Sequence, residues 1–177
     1  YPKMESFYSK YQKTGGIVTA VDLLKGLGCL INLETPTVPG ATGFIDTNYA
    51  NKVLAAKKIL DDHDFCYIHI EAPDEAGHMG DVHLKIKAIE DLDLNIVGPM
   101  LEYIKYQPDS VIMVLPDHPT PCHIKTHTHE PVPFCFYHSS YSFKSKLPYS
   151  EKTGKATQVS HSTPWDLLRI FLNESPH

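Results

Sequence analysis

The stretch that most restricts how this chain can fold is Phe65-Cys66-Tyr67-Ile68-His69-Ile70-Glu71-Ala72-Pro73-Asp74-Glu75-Ala76-Gly77-His78-Met79-Gly80-Asp81. Its first half alternates aromatic and β-branched residues, which predicts a strand set into a core. Pro73 then ends the strand, and Asp74, Glu75, His78 and Asp81 follow at once. Ionisable groups at the exit of a buried strand are costly unless they are solvated, paired or metal-bound. Asp74 and His78 are four positions apart, so one helical turn sets a hard oxygen beside an imidazole. That pairing suits a divalent metal. The plainer alternative has Asp74 capping the next helix and His78 on its first turn.

The 177 residues suit one domain with a sizeable core that needs no staples. A formal charge of −5 argues against nucleic acid as the main partner, because phosphate neutralisation needs basic clusters. No apolar run reaches the roughly 18 residues of a membrane span. Cys29, Cys66, Cys122 and Cys135 form no CxxC pair, so neither a zinc knuckle nor a thioredoxin-type motif is signalled. Reduced thiols in a cytosolic protein are the simpler account. The first residue is Tyr1 and nothing resembles a signal peptide, so the expectation is either a lost beginning or a piece of something longer.

Along the chain, Gly15-Gly16 reads as a turn and Ile17 to Val21 as a buried strand. Asp22 is placed to cap a helix through Leu23, Leu24 and Leu27 that ends near Gly28. Thr35 to Pro39 is extended because its prolines forbid a helix. Gly40-Ala41-Thr42-Gly43 lacks the Walker lysine and the dinucleotide spacing, which leaves a plain turn. A helix from Asp46 or Thr47 buries Tyr49, Val53, Ala56 and Leu60, and Asp61 to Asp64 is its solvated end. A long helical segment from Val82 to about Tyr106 has Ile86, Ile89, Leu92, Ile96 and Met100 as its stripe, with a kink or break at Gly98-Pro99. Val111 to Leu115 and Val132 to Tyr137 are further strands, the latter near an edge because of Pro133. Ser139 to Ser160 reads as a surface excursion. A final helix starts with Thr163-Pro164-Trp165-Asp166, a capping box with proline first, and buries Trp165, Leu168, Phe171 and Leu172. Strands alternating with helices predict an α/β domain, a layered and largely parallel sheet covered by helices on both faces.

Two strands end in the same chemistry, one leading into Asp74 and His78 and the other into Asp117-His118. The third is preceded by Cys122-His123-Ile124-Lys125-Thr126-His127-Thr128-His129-Glu130. In open α/β sheets ligands gather beyond the carboxyl ends of strands, so three Asp/His patches converge on one crevice. Histidine with carboxylate and no thiolate fits a binuclear Mn²⁺ or Zn²⁺ site that handles phosphate oxygens. The competing reading is a histidine-rich surface that holds no metal.

Several runs carry a resemblance: Val38 to Gly43, Asp46 to Tyr49, Glu71 to His78, Lys85 to Glu90, Asp117 to Pro121 and His127 to Phe134. In order and content they resemble the archaeal-type, bisphosphoglycerate-independent phosphoglycerate mutases of the alkaline phosphatase superfamily. The likeness covers nearly the whole chain. It implies an alkaline-phosphatase-like core and a cytoplasmic, glycolytic isomerase that interconverts 3-phosphoglycerate and 2-phosphoglycerate through a phosphoserine. Carried over by motif, Asp74, His78 and His127 would hold one metal, and Asp117 and His118 the other. His129 falls outside the matched ligand position. Lys25 and Lys13 are candidates for contacting a phosphate or carboxylate.

In that family the serine nucleophile and a further aspartate ligand lie in the amino-terminal part, beside an inserted substrate-binding domain. No segment here resembles that part, and Ser139, Ser140, Ser160 and Ser162 stand in none of the required contexts. Residues 1–177 are therefore expected to be the carboxyl-terminal portion of the phosphatase-like domain. Such a portion is expected to be inactive alone, to have an incomplete second metal position, and to self-associate through exposed edges. The alternatives are a phosphatase or phosphodiesterase of the same superfamily, and a truncated relative that binds metal or a protein without chemistry.

Overall fold

Residues with opposite-facing side chains in one short strand organise the molecule, a computed structural model of which describes residues 3–141 and 145–173. Tyr1 and residues 142–144 of the Ser139–Ser160 excursion lie outside the described residues. Strand β1 (Gly15–Val18) runs parallel to β2 (Phe65–Ile68), with Gly15 opposite Phe65 and Val18 opposite Ile68. Successive side chains of a strand point to opposite faces. Val18 accordingly joins one cluster with Val38, Val53, Ala56, Ile59, Ile96 and Met100. Ile17 joins another with Phe7 and Leu33, against which Phe65 and Leu172 pack. Helix α3 (Tyr49–Asp62) supplies the first face. The second is covered by α1 (Phe7–Tyr11) and α8 (Pro164–Asn173).

The α/β class with a parallel pair between helical layers is therefore present. The other two strands form a separate pair, β3 (Val111–Val114) with β4 (Cys135–His138), and that pair is antiparallel. Gly15 and Gly16 lie in β1 rather than in a turn. A Cβ on Gly16 would come within 2.7 Å of Ile59 and one on Gly15 within 2.5 Å of the Phe65 carbonyl, so these glycines serve close packing. Helix α2 (Asp22–Leu30) runs past Gly28, and Asp22 lies inside its first turn without capping it. Asn48 caps α3 by accepting from the Asn51 N–H at 2.9 Å.

The long segment after α4 (Ala72–Met79) is continuous but changes register. Helix α5 (Val82–Leu92) passes through a π-helical turn, Asp93–Val97, into α6 (Gly98–Ile104). The widened turn falls just before Pro99, which has no N–H to give. An added residue rotates the buried face by about 100°. Ile96, Met100 and Ile104 are buried after it, whereas Ile86 and Ile89 before it are half exposed and Ala88 is buried instead. Helix α7 (Glu151–Thr157) interrupts the surface excursion. In α8 the Thr163–Asp166 cap forms, but Trp165 points outward at 60 % exposure and Leu167 is buried in its place.

Two outcomes test this packing. Ile59→Ala empties a fully buried position and is expected to cost about 2–5 kcal/mol of unfolding free energy in a denaturant titration. Asp64 accepts from the Thr14 backbone N–H at 2.8 Å and from its hydroxyl at 3.1 Å, and the backbone bond holds its carboxyl below the ordinary carboxylate range. A carboxyl lowered by folding stabilises the protein above its unfolded pKa, and that stability is lost as pH falls through the folded one. Because Asp64 is exposed, Asp64→Asn should cost no more than about 1 kcal/mol at pH 7. The deficit should vanish in melts below roughly pH 3.

Candidate metal centre

The strand exit at β2 becomes a helix within four residues, and α4 carries Asp74 and His78 one turn apart on one face. Pro73 sits in the first turn of α4, where a missing N–H costs nothing. Asp81 then caps α5 by accepting from the Leu84 N–H. A face of small residues on α4 (Ala72, Ala76 and Gly77, all buried) lets a second segment approach closely. That segment is the loop leaving β3, Leu115 to Phe134. A Cβ on Gly77 would lie 2.4 Å from the Thr120 carbonyl, so only glycine admits the loop at this distance. The loop is tied down further by the Lys85 Nζ, which donates to the Thr120 carbonyl at 2.6 Å. The Thr128 N–H donates to the Pro119 carbonyl at 3.1 Å, which brings His127 back over His118.

Four of the five residues expected to bind metal meet directly. His78 Nε2 is 3.2 Å from Asp74 Oδ2 and 3.1 Å from His127 Nε2. His127 Nε2 is 3.5 Å and His118 Nδ1 3.9 Å from Asp74 Oδ1. The rings of His118 and His127 lie against one another, 3.7 Å between centroids and tilted by 31°. Asp117 is more exposed and reaches the group through its neighbour, with Oδ2 at 3.3 Å from His118 Nε2. Asp74, His118 and His127 each offer one ligand atom within 4.8 Å of the others. His118 therefore faces both ways, toward Asp74 through one nitrogen and toward Asp117 through the other.

The donor set fits a divalent cation on two counts. His78 Nδ1 is 3.0 Å from the Lys125 carbonyl, which can only accept, so Nδ1 carries the proton. In the neutral ring Nε2 is then bare, and its lone pair confronts a carboxylate oxygen and a second imidazole nitrogen. Such crowding is unfavourable unless a cation or a further proton lies among the three atoms. A ligand histidine whose other N–H is held by a backbone carbonyl is also the usual arrangement around metals. The spacing agrees as well. Ligand atoms bound to one zinc at 2.0–2.1 Å stand about 3.3–3.4 Å apart at tetrahedral corners. The His78–His127 separation of 3.1 Å compares directly with such an edge, while Asp74 meets His78 through Oδ2 at 3.2 Å and His127 through Oδ1 at 3.5 Å.

The rim around this cluster is negative and partly dry. Burial pushes the Glu71 carboxyl upward, and the charges of Glu75 and Asp74 push it the same way. Burial lowers the His69 imidazole, while Asp117 and Asp74 pull it back up. Lys52 is a fully buried cation on α3, its Nζ donating to the carbonyls of Thr42 (3.3 Å) and His69 (3.4 Å). Burial lowers its pKa and the charge of Glu71 opposes the shift. Lys52 thereby ties the Gly40–Thr47 turn to the exit of β2. Its place on the buried stripe was readable, since it lies one turn from Tyr49 and Ala56.

Thr120, only 4 % exposed, is the other residue that motif reading passed over. Its hydroxyl donates to Asp74 Oδ1 and lies 3.3 Å from His118 Nδ1. The signal was the His118-Pro119-Thr120 run, which sets a hydroxyl two positions after a candidate ligand. The remaining candidates stay outside. Lys13 lines a cleft of about 540 Å³ with Tyr8, Glu34 and His63 at the entry end of β1, opposite the cluster. Lys25 pairs with exposed Asp22 at 3.1 Å, and His129 is exposed. Ser139 donates to the Gln107 carbonyl and Ser140 to Asp109, both at the entry of β3 and so away from Asp117.

Comparison with known proteins places this geometry in a wider group. A profile of the metalloenzyme superfamily matches residues 1–163. A probable 2,3-bisphosphoglycerate-independent phosphoglycerate mutase of Geobacter sulfurreducens is 42% identical over 97% of this chain and 43% of its own length. The 2,3-bisphosphoglycerate-independent phosphoglycerate mutase of Methanosarcina acetivorans is 46% identical over 85% of this chain and 38% of its own. The solved cofactor-independent phosphoglycerate mutase of Thermoplasma acidophilum superposes with a TM-score of 0.67 at 26% identity, covering 90% of this chain and 36% of that one. The chain thus spans about two fifths of the length of the curated relatives it matches. With the profile running through both halves of the Asp/His cluster, the chain belongs to the metalloenzyme superfamily.

Proposed function

We propose that this chain provides the metal-holding part of a phosphoglycerate mutase, an isomerase of glycolysis that interconverts 3-phosphoglycerate and 2-phosphoglycerate. The observation that carries the reading is the bare His78 Nε2 directed at Asp74 and His127. The names of the relatives supply the substrate class. Asp74, His78 and His127 hold one cation, and Asp117 and His118 hold a second, with Mn²⁺ or Zn²⁺ as the ions. When bound, such ions neutralise phosphoryl oxygens and lower the pKa of an attacking oxygen.

The chain's own residues prepare that chemistry. Lys125 and Thr120 set ring and carboxylate orientation before any ligand arrives. Gly77 keeps the β3 loop against α4, so the two halves of the cluster stay in register. Glu71 and Glu75 add negative charge beside the cation positions. The phosphoryl acceptor in this reading is a serine outside residues 1–177, and Ser139 and Ser140 lie at the other end of β3. The cellular setting that goes with glycolysis is the cytoplasm. No helix of the described residues is long and apolar enough to cross a membrane.

Calorimetry with Mn²⁺ or Zn²⁺ tests the metal assignment. The chain should bind, and Asp74→Asn or His78→Ala should weaken binding beyond the roughly 10–100-fold typical of losing an outer hydrogen-bond partner. Unchanged affinity in both variants would remove Asp74 and His78 from the ligand set. A coupled assay with 3-phosphoglycerate and Mn²⁺ tests the division of labour. The 177-residue chain alone should give no 2-phosphoglycerate, and turnover would show that the acceptor lies within it.

A further inference from the structure

The geometry points to Thr120 as a positioning residue that divides the cluster into two cation positions by fixing which nitrogen of His118 is bare. The inference rests on the metal reading for its consequence, though not for its hydrogen-bond logic. A hydroxyl has one proton and can also accept. An ionised carboxylate only accepts, so the Thr120 proton goes to Asp74 Oδ1. The Thr120 oxygen then has only lone pairs for His118 Nδ1, 3.3 Å away, so that contact is a hydrogen bond when Nδ1 carries the proton, in competition with the Asp117 carboxylate facing Nε2. In the neutral ring this leaves Nε2 bare, 3.3 Å from Asp117 Oδ2. The Asp117 Oδ1 is engaged by the His118 backbone N–H at 3.0 Å, so Oδ2 is the oxygen left to share a cation with Nε2.

The same hydroxyl keeps His118 out of the first position. His118 Nδ1 is only 3.9 Å from Asp74 Oδ1, and Asp74, His118 and His127 could themselves converge on one ion. With Nδ1 protonated toward Thr120, its lone pair is not available for that. Removing the hydroxyl frees Nδ1 to join Asp74 and His127, and the two positions collapse toward one. Thr120 can act as this divider because its own place is set from outside the cluster. Its carbonyl is held by Lys85 and admitted by Gly77, and its β-branched side chain has restricted χ1 freedom.

Long-range proton–nitrogen spectra of the histidine rings in the metal-free chain, followed by Zn²⁺ calorimetry, test the assignment. The wild type should show neutral His118 protonated at Nδ1, with Thr120→Ser keeping this tautomer and Thr120→Val losing it. In the Zn²⁺ titration the weaker class of site should lose about tenfold or more in affinity in Thr120→Val and recover in Thr120→Ser. His118 protonated at Nε2 in the wild type overturns the inference even if the valine variant fails to fold. A valine variant with unchanged tautomer and Zn²⁺ binding overturns it while leaving the metal reading in place. A wild-type chain that binds no Zn²⁺ overturns the metal reading, and the division into two positions with it.

Discussion

A single backbone carbonyl, that of Lys125, sets the character of this molecule's charged rim. It accepts the Nδ1 proton of His78 and so forces the opposite ring nitrogen to present a lone pair. That lone pair meets Asp74 and His127 at separations where a cation, or a proton on His127, relieves the repulsion. Lys125 is in the left-handed region at φ 60°, which an L-residue adopts at some cost. The turn that imposes this conformation is packed on the C-cap of α4, where Gly80 itself is left-handed. Local strain is thus carried where it orients an acceptor carbonyl toward His78.

Around that contact the fold works by close approach more than by bulk. Helix α4 buries alanine and glycine instead of large side chains, so its face toward the β3 loop is a flat seat. The loop brings a carbonyl, a hydroxyl and two imidazoles to that seat, and Lys85 and Thr128 keep it there. The apolar clusters on either side of β1 and β2 hold the strand from which α4 departs. Stability and site geometry therefore reside in different layers of the same region. Buried Lys52 joins them, because its ammonium links α3 to the carbonyls of Thr42 and His69.

The α/β character was legible because it rests on local periodicity. Phe65 to Ile68 and Val111 to Val114 are apolar enough to declare themselves strands. The Asp74–His78 pair follows from helical spacing alone. The misreadings have equally local causes. Gly15 and Gly16 have the composition of a turn, yet their missing side chains make room for Phe65 and Ile59. The Val82 stripe assumed an unbroken helical period, and the π turn at Asp93–Val97 rotated half of it toward solvent. Trp165 satisfied the helical pattern, but Leu167 is buried in its place.

What the sequence determined by itself was most of the inventory: the main strands and longer helices, though not α7 or the glycine start of β1, and that aspartates and histidines cluster where strands end. Spacing along a chain fixes neighbours within a turn or a strand, since those are set by backbone geometry. The tertiary structure alone decided the tautomer of His78, the two-sided position of His118 and the role of Thr120. Those depend on distances between segments some forty to fifty residues apart, measured in tenths of an ångström, and no local rule carries that information.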